Sequence, residues 1–157
     1  MRYLTNSLLI LILLLSVVLT GCYKYKFMET IYIDDIYTQE EDEYLIYFYT
    51  DDCYYCKKSY DTIQEYLNYQ EENDSIKLYV CNLSEEENKS IKRSYEGTGG
   101  QGSEGQYFVN AVSDPKDLYI SGVPSLILIN EQRFSKFVVS GRSKIIDYFT
   151  ELMNNNI

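Results

Sequence analysis

Apolar positions fall into blocks along the chain, separated by polar breaks. Leu8 to Leu15 is an unbroken aliphatic run, continued by Val17, Val18 and Leu19 after one serine. Tyr44 to Tyr49 is apolar or aromatic at every position, which a central strand covered on both faces requires. After Thr50-Asp51-Asp52 the period changes. Tyr60, Ile63 and Leu67 recur at three and four, predicting a helix from about Cys53 to Gln70. Asn73-Asp74 makes a turn into a second strand, Ile76 to Cys81. Ser84 and Glu87 stand at capping-box spacing and predict a helix to about Tyr95. Leu126 to Ile129 reads as a strand, Asn130 to Arg133 as a turn, and Phe134 to Ser140 as an antiparallel return. Ile145, Ile146, Phe149 and Leu152 mark one face of a last helix. Upstream, Thr30 to Asp34 is expected to form a short first strand, and Tyr37 to Glu43 a solvated acidic turn or short helix. The order is β-α-β-α-β-α, an insertion, then β-β-α.

At 157 residues and 45% hydrophobic content, one domain with a real core is expected. The formal charge of −10 argues against nucleic acid as a partner, because phosphate contacts need Lys and Arg. Gly97 to Gly105 is glycine-rich but lacks Gly-Lys-Ser/Thr and follows a helix. It fails as a phosphate loop and reads as a linker within an insertion spanning about residues 96–118. Gln106 to Leu118, with Tyr107, Phe108 and Val109 as apolar anchors, is expected to form a short helix near the rim of the site and to touch substrates.

The first aliphatic run is a targeting segment. Arg2 gives it a positive start, and it is short for a transmembrane helix. Its end, Leu19-Thr20-Gly21-Cys22, resembles a bacterial lipoprotein lipobox. The resemblance implies cleavage after residue 21 and a lipid on the Cys22 sulfur. The expected organisation is a signal peptide over 1–21, a lipidated tether over 22–29 and a globular domain over 30–157. The domain would then lie on the extracytoplasmic face of a bacterial membrane, where disulfides persist. The other reading is an uncleaved signal anchor with Cys22 free.

The chemistry concentrates at Cys53-Tyr54-Tyr55-Cys56, placed between strand and helix. Unpaired N–H groups and the dipole at a helix start favour a thiolate over a thiol, and the thiolate is the reactive form. The spacing also suits half a zinc site or a structural disulfide. Cys53, Cys56 and Cys81 would supply three zinc ligands, with a carboxylate as a fourth, since the chain has no histidine. Cys81, near the end of a strand, reads either as a small buried apolar residue or as a further redox participant.

A strand, a Cys-x-x-Cys and a helix together resemble the active-site segment of the thioredoxin superfamily. Gly122-Val123-Pro124-Ser125-Leu126 resembles that superfamily's second signature, a loop whose proline is cis and faces the cysteine pair. An ordinary trans-proline turn is the alternative. The two motifs, in that order, imply an α/β fold over about Ile31 to Met153, a three-layer α/β/α sandwich on a central mixed sheet, with an insertion before the cis-proline strand. They imply Cys53 as nucleophile and Cys56 as resolving thiol. Val123 and Pro124 would shape the substrate groove, with Tyr54 and Tyr55 beside it. No metal or organic cofactor is implied. One departure is visible. The superfamily often buries an Asp six residues before the first cysteine, and that position is Tyr47. Glu43 or Asp51 could substitute, though nothing in the sequence places either there.

The implied function is a membrane-anchored thiol-disulfide oxidoreductase. Its partners would be protein thiols or disulfides and a separate redox protein that resets the pair. The alternative is a binding or accessory module on the same scaffold, its disulfide purely structural.

Overall fold

A computed structural model describes residues 27, 29–91 and 109–155. The segment expected as a signal peptide, Cys22, most of the expected 22–29 tether, the expected Gly97 to Gly105 linker, Tyr107 and Phe108 lie outside the described residues.

Four strands form one mixed sheet in the order β2-β1-β3-β4. They are β1 (Tyr44–Tyr49), β2 (Lys77–Asn82), β3 (Ser125–Ile129) and β4 (Ser135–Ser140). β2 runs parallel to β1, while β3 is antiparallel to both β1 and β4. All six β1 residues are buried, as the uninterrupted apolar run requires of a strand with neighbours on both edges and layers on both faces. Its side chains alternate between two cores. Leu45, Tyr47 and Tyr49 face α1 (Tyr54–Glu72) and α2 (Arg142–Asn155), meeting Ile63, Tyr66, Ile145 and Phe149. Tyr44, Ile46 and Phe48 face the other way, toward Ile33, Ile36, Leu83, Ile91 and Leu118.

This second face is covered by short 3-10 turns and extended chain, including Ile33–Asp35, Glu86–Ile91 and Pro115–Asp117. Here the structure departs from three expectations. The strand expected over Thr30 to Asp34 does not form. Its one bond to the sheet is Ile31 N–H to Val80 O, 2.9 Å, and the chain then turns at Ile33, whose N–H donates to Asn88 Oδ1 at 2.8 Å. The helix expected from Ser84 is a 3-10 helix over Glu86–Ile91. Asn88 lies in it fully buried, bonding Ile33 on one side and Asn82 O (2.9 Å) on the other. Those tertiary bonds outweigh the local helix signal. The described part of the insertion, residues 109–118, is not an α-helix at the rim of the site. Ala111 N–H donates to Ser135 O, and Ser135 N–H donates to Val112 O. Ser135 pairs with Ile129, so this segment sits at the end of the sheet away from the cysteines.

The expected tether also differs. Phe27, inside the 22–29 stretch, is 1% exposed. Its ring packs edge-on against Tyr47 and Tyr49, at centroid distances of 6.0 and 5.1 Å, and at a tilt against Tyr60 at 4.8 Å. An aromatic of this size joins the core rather than a solvated linker.

Candidate functional site

The parallel strands β1 and β2 end together at Tyr49 and Asn82. At the same end β3 begins, with Ser125 opposite Phe48, and β4 finishes, with Ser140 opposite Ser125. The cysteine turn, the proline loop and the start of α2 therefore meet at one edge of the sheet.

Cys53 is the N-cap of α1 and Cys56 lies in its first turn. Extended backbone at Cys53 lets its sulfur accept the Cys56 N–H at 3.0 Å, one of the donors a helix start leaves unpaired. The two cysteines are joined in a disulfide, with an S–S distance of 2.10 Å and Cα atoms 5.3 Å apart. They differ in access. Cys56 is fully buried, whereas Cys53 is partly exposed. Cys53 is thus the more accessible sulfur of the pair.

The Val123–Pro124 peptide bond is cis. The Val123 carbonyl oxygen lies 3.7 Å from Cys53 Sγ, so the proline loop faces the cysteine pair. That loop is held from two sides. Ser125 Oγ donates to Gly122 O at 2.6 Å, and Gly141 N–H donates to Pro124 O at 2.9 Å. Gly141 has φ +86°, a conformation glycine adopts without a Cβ penalty. Tyr54 and Tyr55 are 64% and 60% exposed, beside the disulfide. Their rings meet edge to face at 5.5 Å, and the Lys58 ammonium lies 5.7 Å from the Tyr54 centroid.

Tyr47, at the position of the superfamily's buried carboxylate, is fully buried. Its hydroxyl is 3.0 Å from Ser59 Oγ, and Ser59 also donates toward the carbonyls of Cys56 (3.1 Å) and Tyr55 (3.3 Å). A neutral hydroxyl pair thus lies under the first turn of α1. Neither carboxylate suggested as a substitute occupies that position. Glu43 is exposed and precedes β1, at the opposite end from Cys53. Asp51 is turned onto β2, where its Oδ1 accepts from Asn82 Nδ2 at 3.0 Å and its N–H donates to Ser84 Oγ at 2.9 Å.

Cys81 is a free, buried thiol in the core on the other side of the sheet from Cys56. It does not converge with Cys53 and Cys56 in this structure. Burial pushes its pKa up to about 12 from the ordinary 9.0, and burial pushes Tyr37 up to about 12 as well, partly offset by its bond to Ser135. The sign follows from proton linkage. Above pH 9 the unfolded chain releases the Cys81 proton and the native state keeps it, so this stabilisation is whole below pH 9 and lost toward pH 12. Each such group lowers stability by at most about 1.4 kcal/mol per pH unit in that window. Stability read by denaturant unfolding should be level from pH 8 to about 9 and fall from there to pH 11, and Cys81→Ala should flatten part of that fall. At pH 8 the folded protein should leave Cys81 unalkylated.

Sequence reasoning did not reach Ser59 or the contribution of the α2 start. Ser59 is one polar residue on a buried helix face and carries no motif. Ser140 to Lys144 comes beside Tyr55 only through the tertiary fold.

Comparison with known families agrees with this geometry. Residues 34–134 match the family described as Thioredoxin-like domain. No curated protein matches the chain at a significant level. The matched span takes in both the cysteine pair and the proline loop, the two features that the fold brings face to face, and a Cys-x-x-Cys in this setting supports thiol-disulfide chemistry. This chain belongs to the thioredoxin-like domain family.

Proposed function

We propose that this protein is a thiol-disulfide oxidoreductase that works through the Cys53–Cys56 pair while tethered by lipid on Cys22 to the extracytoplasmic face of a membrane. The observation that carries the redox reading is the asymmetry of the pair. The partly exposed sulfur caps a helix and faces the proline loop, and its partner is buried. Starting from the disulfide, a substrate thiolate attacks Cys53 Sγ. The Cys53–Cys56 bond breaks, Cys56 leaves as thiolate and takes up a proton, and a mixed disulfide forms. A second substrate thiolate then displaces Cys53. Two electrons pass from the substrate dithiol to the pair, and the substrate gains a disulfide. The reverse sequence reduces a substrate disulfide. Either direction needs a second protein, a dithiol or a disulfide, to reset the pair. Val123 and Pro124 line the approach to Cys53, and Tyr54 and Tyr55 flank it.

The anchor rests on the lipobox-like Leu19-Thr20-Gly21-Cys22. Incorporation of labelled palmitate, lost in Cys22→Ala, is expected. One observation favours a second reading, an accessory module with a permanent disulfide: Tyr47 stands where the superfamily often places a proton-accepting carboxylate. Multiple turnovers of a disulfide peptide in the presence of a dithiol reductant, dependent on Cys53, support the oxidoreductase. A pair that never turns over supports the module.

A further inference from the structure

The chain is strongly acidic, with 24 Asp and Glu against 14 Lys and Arg. The face around the disulfide departs from that average. A groove of about 350 Å³ lies beside the cysteine turn, lined by Tyr55, Ser140, Gly141, Arg142, Ser143 and Lys144. Among the described residues, no Asp or Glu lines it. The Tyr55 ring, at 60% exposure, gives it an apolar wall. The start of α2 gives it two exposed cations, Arg142 and Lys144. Two more exposed cations, Lys57 and Lys58, follow Cys56 directly. The groove adjoins the redox site: its Gly141 N–H is bonded to the carbonyl of Pro124, whose neighbour Val123 lies 3.7 Å from Cys53, and its wall residue Tyr55 lies between the two cysteines. Of the acidic residues in the cysteine turn, Asp51 is bonded to Asn82, and Asp52 is exposed beside Cys53.

We propose that this groove selects the substrate: a protein segment with an apolar side chain next to its reacting cysteine and Asp or Glu flanking it. The inference rests on the oxidoreductase reading and names the substrate class for the same site. The groove is at the small end of ligand clefts, suited to one or two side chains rather than to a cofactor. Complementary charge raises the rate of productive encounter and suppresses like-charged partners. The chain's net charge of −10 disfavours an acidic segment in general, so the Arg142 and Lys144 pair beside the cysteine turn would help orient it there.

The test uses the full chain with its cysteine pair reduced beforehand. Two synthetic peptide disulfides serve as probes, each with Leu beside the cysteine, one with Asp and the other with Lys at the flanking positions. Single-turnover reduction of the Asp peptide should be about tenfold faster at low ionic strength. The ratio should approach one at 1 M salt, where the screening length is about 3 Å. Arg142→Gln with Lys144→Gln should bring the ratio down toward one, while Arg142→Lys with Lys144→Arg should retain it, separating charge from folding. Equal rates for the two peptides, or a ratio untouched by the glutamine pair, overturn the proposal and leave the oxidoreductase standing. If the reduced pair reduces neither peptide disulfide and the oxidised pair oxidises neither peptide's free thiol form, the oxidoreductase reading falls and the proposal with it.

Discussion

Cys56→Ser is expected to turn this protein into a trap for its own partners. With the resolving thiol gone, a mixed disulfide between Cys53 and a substrate cannot be released from within. Covalent adducts should accumulate, visible as reductant-sensitive higher-mass species on a non-reducing gel. Cys53→Ser should form none, and its exchange rate should fall by about a thousandfold or more, as for loss of other nucleophiles. The asymmetry follows from burial: Cys53 is accessible and Cys56 is not. The same asymmetry predicts that iodoacetamide modifies Cys53 well before Cys56 in the reduced protein. Equal trapping by the two serine variants would contradict the assigned roles.

Tyr47→Ala is expected to destabilise the fold by about 3–5 kcal/mol, the range for truncating a large buried aromatic. Tyr47 is fully buried at the centre of β1, between the sheet and α1, and carries part of the packing that holds Phe27. Tyr47→Phe removes only the hydroxyl. Ser59 keeps its carbonyl partners in the first turn of α1, so the cost should be about 1 kcal/mol. Urea unfolding of the two variants separates packing from polar bonding. A large loss in Tyr47→Phe would mean that the Tyr47–Ser59 bond, rather than the ring, secures the helix that presents the cysteines.

Local pattern carried much of this fold. The β1 run, the helix behind it and the β3–β4 hairpin were legible because each obeys one period over its whole length. The cysteine pair and the proline loop were legible as motifs, and their facing each other follows from the topology they imply. The second face of the sheet was not legible. Ile31 and Ile33 alternate as a strand would, yet Asn88, more than fifty residues on, captures the Ile33 N–H and bends the chain away. The capping-box spacing at Ser84 and Glu87 signals a helix start, but Asn82 takes Ser84 N–H on its own side-chain oxygen at 3.0 Å. The turn tightens into 3-10 geometry instead. Phe27 looked like part of a tether because sequence order hides which cavity an aromatic fills. Arg142 and Lys144 likewise read as an ordinary charged helix start until the fold sets them beside Tyr55.

The account turns on whether the Cys53–Cys56 disulfide cycles. The direct measurement is its redox equilibrium in the full chain against a series of reduced and oxidised glutathione, read by thiol trapping. An active pair should titrate between about −270 and −120 mV, the span of dithiol oxidoreductases. A value near the upper end would assign disulfide formation, and one near the lower end disulfide reduction. A pair that stays oxidised below about −300 mV, where structural disulfides lie, would contradict the redox function and leave a thioredoxin-like scaffold with a fixed disulfide.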